Sequence, residues 1–304
     1  MTLHSVDCIR YGGRHCAFPP YVLRIMSYEH PSRLHDDFLS EAASLPFLLH
    51  MNSPAPEFET IACPVCDGTR FVALFEKQGE PFVRCEDCGL VLINPRPRFQ
   101  AVSATYNEHY SQGYINKAAK KLARCRRWVN RLTPRVGAGG RWLDIGCSAG
   151  FVLAAAEEAG FEAFGVELEP AAVAFGQQEL GLANIVCGTF DAQAYPDQFF
   201  DVISLYDVIE HVPDLQRTVA KLARVVKPGG LIEIRTPDLA HWRTPRDLAQ
   251  WKEIKPSEHL YYFSAATLTR LFARHGLRLH HRRLMVKSAL DCLFTRSALV
   301  RQHA

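Results

Sequence analysis

One stretch, from Arg141 to Glu167, constrains the fold of this 304-residue chain more than any other part of it. It begins with a short apolar run that stops at Gly146, and after Gly150 its apolar residues recur at helical spacing. A second short apolar segment follows Gly160 directly. This order of strand, tight loop, helix and strand is typical of a Rossmann-like βαβ unit. The unit predicts an α/β fold built on a mostly parallel sheet.

The loop and the acid at the end of the second strand predict a site for a nucleoside. Glycine at Gly146 and Gly150 allows backbone torsions that a side chain would resist, and it lets a ligand approach the main chain. The carboxylate of Glu167 can accept hydrogen bonds from both hydroxyls of a ribose. A dinucleotide loop has the form G-x-G-x-x-G, whereas Ser148 and Phe151 stand where its second and third glycines would fall. The loop therefore disfavours a pyrophosphate.

The run LDIGCSAG, followed by GVE, resembles the class I S-adenosylmethionine-dependent methyltransferases. Their first motif has the form acid-x-Gly-x-x-x-Gly, and their second strand ends in an acid. The resemblance implies a Rossmann-like, mostly parallel seven-stranded sheet with helices on both faces. It also implies that the cofactor S-adenosyl-L-methionine is bound by Asp144, Gly146, Cys147, Gly150, Glu167, Leu168, Phe190, Asp191 and Tyr206. The opposing interpretation is a simple turn in a domain that binds no cofactor.

Composition and charge restrict the other classes. With 48% hydrophobic residues the chain can bury a sizeable core, and its formal net charge of +3 gives no argument for nucleic acid or for an anionic membrane surface. No apolar run is long enough to cross a bilayer, and prolines interrupt the apolar residues near the N-terminus. We therefore expect a cytoplasmic protein without a membrane span. The oligomeric state is left open.

Four of the ten cysteines form two C-x-x-C pairs, and each pair lies beside a glycine. The pairs are Cys63 with Cys66 and Cys85 with Cys88, a spacing typical of a zinc ribbon in which two knuckles supply four thiolates. The residues between them predict a β-hairpin with a Gln-Gly turn. Four thiolates leave no open coordination position, so we expect a structural zinc. Free or disulfide-bonded thiols are the alternative.

These features divide the chain into four parts. Residues 1–55 are rich in proline and show no sustained period, which predicts a poorly ordered extension or a start codon placed too early in the gene model. Residues 56–97 are the predicted zinc ribbon, 98–137 a helical cap and connector, and 138–304 the methyltransferase domain. A basic helix is predicted over Lys117–Arg135 in the connector. Its charges indicate a solvated face or, alternatively, a surface for RNA or a phosphorylated substrate.

The ribbon and the segment that follows it carry a second resemblance. The run NPRP and the tyrosines Tyr106, Tyr110 and Tyr114 resemble a subgroup of bacterial methyltransferases with an N-terminal zinc ribbon, of the methyltransferase-23 type. Some members of that subgroup modify nucleotide-linked sugars or other small molecules. The tyrosines are expected either to cap the cofactor pocket or to pack in the core.

Titratable residues after the central strands predict the acceptor side of the site, because open α/β sheets bind ligands beyond the carboxyl ends of their strands. His211 and His259 are the candidate catalytic bases, and a structural role for each is the alternative. Asp207, Glu210 and His211 resemble the metal-binding E-x-x-E-H of ubiquinone O-methyltransferases, although aspartate shortens the first ligand. A divalent ion at these residues is a further hypothesis.

The predicted function is methyl transfer from S-adenosyl-L-methionine to an oxygen or carbon of a small or carrier-linked molecule, such as a sugar, a quinone-like ring or a lipid precursor. One alternative is an RNA or protein methyltransferase that uses the ribbon and the basic helix to grip its substrate. Another is a non-catalytic module that only binds the cofactor. Base-amino methylation is disfavoured because no Asn-Pro-Pro-Tyr-like motif follows Tyr206.

Overall fold

The computed structural model describes residues 58–98 and 117–296. The predicted extension over 1–55 and the tyrosines Tyr106, Tyr110 and Tyr114 lie outside the described residues. Among the helices that are described, none combines the length and the apolar character needed to cross a bilayer.

Strands and helices follow one another in the order that the sequence pattern predicts. The strands of the described part are β1 (Phe58–Glu59), β2 (Phe71–Lys77), β3 (Glu80–Cys85), β4 (Val91–Ile93), β5 (Arg96–Pro97), β6 (Arg141–Ile145), β7 (Glu162–Glu167), β8 (Ile185–Cys187), β9 (Phe200–Tyr206), β10 (Val226–Pro237), β11 (Tyr261–Tyr262), β12 (Leu277–Arg282) and β13 (Ala289–Arg296). The α-helices are α1 (Ala118–Val136), α2 (Phe151–Glu158), α3 (Pro170–Gln178), α4 (Leu215–Val225) and α5 (Ala265–Ala273).

The central sheet has seven strands in the order β12-β13-β10-β9-β6-β7-β8. The five strands from β10 to β8 are parallel to their neighbours, whereas β13 is antiparallel to both β10 and β12. This confirms the predicted α/β class and the mostly parallel seven-stranded sheet. The carboxyl ends of β6, β7, β9 and β10 therefore meet at one edge, where open α/β sheets bind ligands.

Helices cover both faces of this sheet. Consecutive residues of a strand point to opposite faces, so each central strand contributes to two separate apolar clusters. Trp142 and Val202 belong to the same apolar cluster as buried residues of α1, α2 and α3. Their neighbours Leu143 and Ile203 belong to a second cluster, which includes buried residues of α4 and α5. The near-continuous apolar character of β9 follows from burial on both faces.

Two features of the sheet lie along β10. Near its start, the register of β10 with β9 shifts between Val226 and Leu231. The last strand, β13, pairs with β10 from Leu231 to Pro237.

A second, four-stranded sheet joins the cysteine-bearing segment to the remainder of the chain, in the order β11-β4-β3-β2. β2 and β3 form the hairpin predicted between the two C-x-x-C pairs, and β4 follows antiparallel to β3. β11 lies far along the chain, immediately before α5, and pairs antiparallel with β4. The small sheet therefore contains a strand from the segment that follows β10.

We predict that Leu222→Ala lowers the free energy of unfolding by about 2–5 kcal/mol, because Leu222 is fully buried between α4 and the sheet. Leu284→Ala is the matched control, since Leu284 is 86% exposed, and it should change stability by less than about 0.5 kcal/mol. Urea denaturation of the three proteins measures the difference. Equal unfolding midpoints for the two variants would contradict this packing.

Candidate functional site

The carboxylate of Glu167 ties the end of β7 to the loop that follows β6. Its Oε2 accepts the main-chain N–H of Ser148 at 2.7 Å, and its Oε1 accepts those of Leu168 at 2.6 Å and Glu169 at 3.0 Å. Ser148 has a φ of 50°, in the left-handed region that a serine rarely adopts. An ionised carboxylate offers about four acceptor positions, so Glu167 keeps one for a further donor.

The two loop glycines are required by the packing of the loop itself. Gly146 and Gly150 have φ values of 68° and 82°. A Cβ on Gly146 would lie 2.4 Å from Cγ2 of Val208, and a Cβ on Gly150 would lie 2.2 Å from Cδ1 of Leu182. The loop is thus packed against the segment that follows β9 and against the residues directly before β8.

Asp144 and Cys147 point into the domain. The Oδ1 of Asp144 accepts a hydrogen bond from the Ser204 hydroxyl at 2.5 Å. Burial, with a smaller contribution from the nearby charge of Glu167, raises the pKa of Asp144 to about 7. The buried thiol of Cys147 lies beneath Gly165, where an added Cβ would come within 2.7 Å of the sulfur. Only the main chain of Cys147 is therefore available to a ligand of the loop.

The segment after β8 brings Phe190 and Asp191 against α4. Phe190 is buried, and the ammonium of Lys221 lies 4.4 Å from the centre of its ring. Asp191 Oδ2 accepts a hydrogen bond from the Thr218 hydroxyl at 2.9 Å, while its Oδ1 is buried and has no partner among the described residues. Leu168 remains partly exposed beside Glu167. Asp191 therefore binds α4 through one carboxylate oxygen, and its other oxygen can still accept a hydrogen bond.

Tyr206, at the end of β9, is held by contacts on the α1 side of the sheet. Its hydroxyl donates to the buried carboxylate of Glu233. Its ring centroid lies 4.7 Å from that of Trp128, and the guanidinium of Arg235 lies 4.9 Å from the centre of the Tyr206 ring. The hydroxyl is therefore already used within the protein, a contact that sequence patterns do not reveal.

On the other side of the sheet edge, Glu210, His211 and His259 form one cluster, in which a ligand-type atom of each lies within 4.8 Å of the others. The two imidazole rings meet edge to face, with centroids 4.7 Å apart. Glu210 and His259 are only 1% and 3% exposed. The main-chain N–H of Leu260 donates to the Glu210 carbonyl at 2.9 Å, which holds the two segments together.

The hydrogen bonds of this cluster leave three lone pairs unused. His211 Nδ1 lies 2.7 Å from the Glu258 carbonyl oxygen, which can only accept, so Nδ1 carries the proton and Nε2 keeps its lone pair. Glu210 Oε2 accepts from the Thr236 hydroxyl at 2.9 Å. Glu210 Oε1 and His259 Nδ1 are buried without a partner in the described part of the chain. Unsatisfied buried polar atoms are costly, and they mark sites where a ligand supplies the missing partner.

Burial also sets the charges of the cluster. Burial and, to a smaller extent, the nearby Asp207 carboxylate together raise the pKa of Glu210 to about 8. Burial and, to a smaller extent, the neighbouring His211 together lower the pKa of His259 to about 3. Burial likewise lowers the pKa of His211. Both imidazoles are therefore neutral near pH 7, which is the form that accepts protons or binds metals.

The structure groups two members of the predicted divalent-ion set, Glu210 and His211, and the ion itself stays a prediction. Asp207 lies near Glu210 but outside the cluster, and the third ligand-type side chain is that of His259. The backbone of Asp207, directly after β9, has a φ of 57°, in the left-handed region.

The four cysteines of the two C-x-x-C pairs lie together, and their sulfurs are all within 4.8 Å of one another. The sulfurs of Cys63 and Cys88 are 3.5 Å apart, as are those of Cys66 and Cys85, and all four residues are free of disulfide bonds. A tetrahedral zinc with Zn–S bonds of about 2.3 Å requires sulfur separations near 4 Å. The cluster therefore has the composition and spacing of a Cys₄ zinc site.

Part of this chain is similar in sequence to curated enzymes. A ubiquinone biosynthesis O-methyltransferase of Thiobacillus denitrificans is 34% identical over 116 residues, which cover 36% of this chain and 49% of that protein. The enzyme of the same name from Coxiella burnetii is 28% identical over 142 residues, covering 36% of this chain and 60% of that protein. The chain thus spans about half the length of the curated relatives that it matches.

The chain is also similar to a solved structure and to a family model. The structure of a TehB-like SAM-dependent methyltransferase from Corynebacterium glutamicum aligns with 65% of this chain and 100% of its own, with a TM-score of 0.47 and 19% identity. The family model described as a methyltransferase domain matches residues 115–282, which is more than half of the chain. This protein therefore belongs to the methyltransferase domain family.

Proposed function

We propose that this protein transfers a methyl group from S-adenosyl-L-methionine to a small or carrier-linked molecule. One observation carries the proposal: the loop held by Glu167 lies at the same sheet edge as the unsatisfied cluster of Glu210, His211 and His259. The contact between Gly146 and Val208 joins the two sides. A cofactor bound at the loop would therefore have its reactive end beside groups able to receive an acceptor.

The residues of the loop side fit the cofactor. Glu167 keeps an acceptor position for a ribose hydroxyl, and Asp191 has a buried unpartnered oxygen that suits an amino group of adenine. Gly146 and Gly150 bring bare main chain to the site, and Phe190 supplies an apolar surface. When bound, the cofactor supplies a methyl group already activated by its sulfonium. The protein then has to align donor and acceptor and exclude water.

On the acceptor side, we assign His211 the role of proton acceptor for a hydroxyl or an acidic carbon. Its Nε2 lone pair is free, its Nδ1–H is fixed by Glu258, and its ring is less buried than that of His259. His259 and Glu210 then orient the acceptor through their unpartnered atoms. The deeper position of His259 makes direct proton transfer from a substrate less favourable there.

A divalent ion is the second use of the same cluster. One carboxylate and two neutral imidazoles form a donor set that suits ions such as Mn²⁺, Fe²⁺ or Zn²⁺. The unpartnered Glu210 Oε1 and His259 Nδ1 support this use. The two roles exclude each other at His211 Nε2, because one lone pair cannot both bind an ion and accept a proton. Chelation therefore distinguishes them.

The relatives and the basic helix support a small-molecule acceptor. The curated relatives are named for O-methylation in ubiquinone biosynthesis, which supports a small molecule methylated on oxygen. The alternative, in which α1 binds RNA, is weakened because two of its basic side chains form ion pairs with acids of the same fold. Arg126 makes two hydrogen bonds to Glu158, and Arg131 is paired with the buried Glu233. These arginines are used within the fold.

We also propose that Cys63, Cys66, Cys85 and Cys88 bind a structural zinc. Four sulfurs at this spacing complete a tetrahedral shell and leave no position for a substrate. The zinc would then stabilise the small sheet that contains β11.

The cofactor proposal predicts that Glu167→Ala weakens S-adenosylhomocysteine binding by about 1.5–3 kcal/mol, or roughly tenfold to over a hundredfold, through loss of a charge-assisted contact and of the loop anchor. Calorimetric titration measures the affinity. Glu162→Ala is the matched control, because Glu162 lies at the opposite end of β7, and its affinity should equal that of the parent. Equal affinity in all three proteins would remove Glu167 from the site.

The zinc proposal predicts about one zinc per chain in freshly reduced protein, and loss of that zinc in Cys85→Ser, because a serine hydroxyl is a poor replacement for a thiolate. Metal analysis by plasma emission gives the content. Cys187→Ser is the control, since Cys187 is an exposed free cysteine outside the cluster, and it should retain the metal. A parent protein without zinc would contradict the assignment.

The assignment of His211 predicts that His211→Gln lowers turnover by about 10²- to 10⁴-fold while S-adenosylhomocysteine affinity stays near the parent value. Turnover is measured with labelled cofactor and an acceptor found by metabolite screening. His241→Gln is the control, because the His241 ring bonds to the Met285 carbonyl outside the cluster. Lower thermal stability with an unchanged rate would instead mean that His211 is structural.

Chelation completes this test. If His211 acts as a base, activity survives treatment with EDTA that leaves the zinc content unchanged. If the cluster holds a divalent ion, activity disappears and returns on addition of Mn²⁺ or Fe²⁺.

A further inference from the structure

The segment between β10 and α5, residues 238–264, carries His259 and is held in place by the cysteine-bearing sheet. Glu80, at the start of β3, is a buried carboxylate that is 4% exposed. Its Oε2 accepts the main-chain N–H of Ser257 at 2.7 Å, and its Oε1 accepts the Ser257 hydroxyl. The negative charge of Glu80 is thus directed at a single residue of the distant segment.

Ser257 needs such a partner because its backbone is strained. Its φ of 60° lies in the left-handed region, which costs a residue with a side chain about 1 kcal/mol or more. The N–H and the hydroxyl of Ser257 each donate a charge-assisted hydrogen bond to Glu80, and these two bonds offset that cost. Glu80 therefore selects a turn that Ser257 would not adopt by local preference alone.

This turn sets the position of the acceptor-side cluster. Glu258, the next residue, presents the carbonyl that fixes the Nδ1–H of His211. The N–H of His259 donates to the Lys255 carbonyl at 3.0 Å across the same turn. A change at Ser257 would therefore reach both histidines, although Ser257 itself is no part of the cluster.

The cysteine-bearing part also contacts the residues on either side of this turn. Lys77 donates to the carbonyls of Ala249 and Ile254, at 3.3 and 3.2 Å. The N–H of Ile93 in β4 donates to the Leu260 carbonyl at 3.1 Å, and the N–H of Leu260 donates to Glu210. β4 then pairs with β11 immediately afterwards. The turn is thus fixed at both ends, and Glu80 is the side chain that fixes its centre.

We propose that Glu80 is a positioning residue for the acceptor site, acting through Ser257 to hold the Glu258 carbonyl and His259 in register with His211. The proposal rests on the proposed function for its meaning in catalysis, but the contact itself can be tested without an acceptor. It gives the cysteine-bearing sheet a specific task beyond stability, since that sheet supplies the carboxylate that shapes the acceptor side.

Imidazole tautomers report directly on this contact. In the parent, His211 should be the Nδ1–H tautomer, held by Glu258, and His259 the Nε2–H tautomer, because its Nδ1 has no partner and its ring contacts the backbone of Glu253. Two-dimensional ¹H–¹⁵N spectra of ¹⁵N-histidine-labelled protein, recorded where both rings are neutral, distinguish the two forms. His211→Gln and His259→Gln variants assign the signals.

Three substitutions carry the test. Glu80→Ala removes both bonds to Ser257, so the His211 signal should change from a single tautomer to a mixture of both. Glu80→Gln should restore the parent spectrum, because its amide oxygen can accept the Ser257 N–H and its amide nitrogen can donate to the Ser257 hydroxyl. Glu76→Ala is the matched control, since Glu76 is exposed on β2 of the same hairpin, and it should leave the tautomers unchanged.

Zinc content and S-adenosylhomocysteine affinity are measured on the same samples and should match the parent in all three variants. If Glu80→Ala fails to fold, Ser257→Ala removes one of the two bonds from the other side and should give an intermediate mixture. Parent-like tautomers in Glu80→Ala or Ser257→Ala would overturn the proposal, as would a failure of Glu80→Gln to restore them. If the tautomers respond as expected but the parent binds no S-adenosylhomocysteine, the proposed function fails while the positioning contact stands.

Discussion

The interaction on which the site depends is the set of three hydrogen bonds from main-chain N–H groups to Glu167. They hold a loop in which Ser148 and both loop glycines have positive φ, and they align that loop with the end of β7. Only a parallel arrangement of β6 and β7 brings the loop and the acid to the same edge. The acid therefore organises the loop, and it keeps one acceptor position that we propose for the ligand.

The cluster of Glu210, His211 and His259 differs from this loop, because some of its buried polar atoms have no hydrogen-bond partner among the described residues. Glu210 and His259 are nearly fully buried, yet each keeps an atom without a partner among the described residues. Such groups destabilise the folded state, and proteins retain them where a ligand or a reaction requires them. The surrounding bonds from Thr236, Glu258 and Leu260 hold the cluster rigidly despite this cost.

Local patterns predicted the elements of the fold, whereas the site depended on contacts that no local pattern records. The strand, loop and helix from Trp142 to Ala159 follow from apolar spacing and glycine placement, and the two C-x-x-C pairs indicated that their sulfurs would meet. The proximity of His259 to Glu210 could not be derived, because it depends on the pairing of β11 with β4, two strands far apart in the chain. The commitment of the Tyr206 hydroxyl follows from a buried acid on a neighbouring strand. Such tertiary contacts override the positions that sequence motifs imply.

The most direct test of the account is the nucleotide specificity of the parent protein. The loop with Ser148 and Phe151 should exclude a pyrophosphate, and Glu167 with Asp191 should accept a single nucleoside. Calorimetric titration should therefore give one S-adenosylhomocysteine bound per chain and no binding of NAD⁺ or NADP⁺ at the same concentrations. Binding of either dinucleotide, or no binding of S-adenosylhomocysteine, would contradict the account.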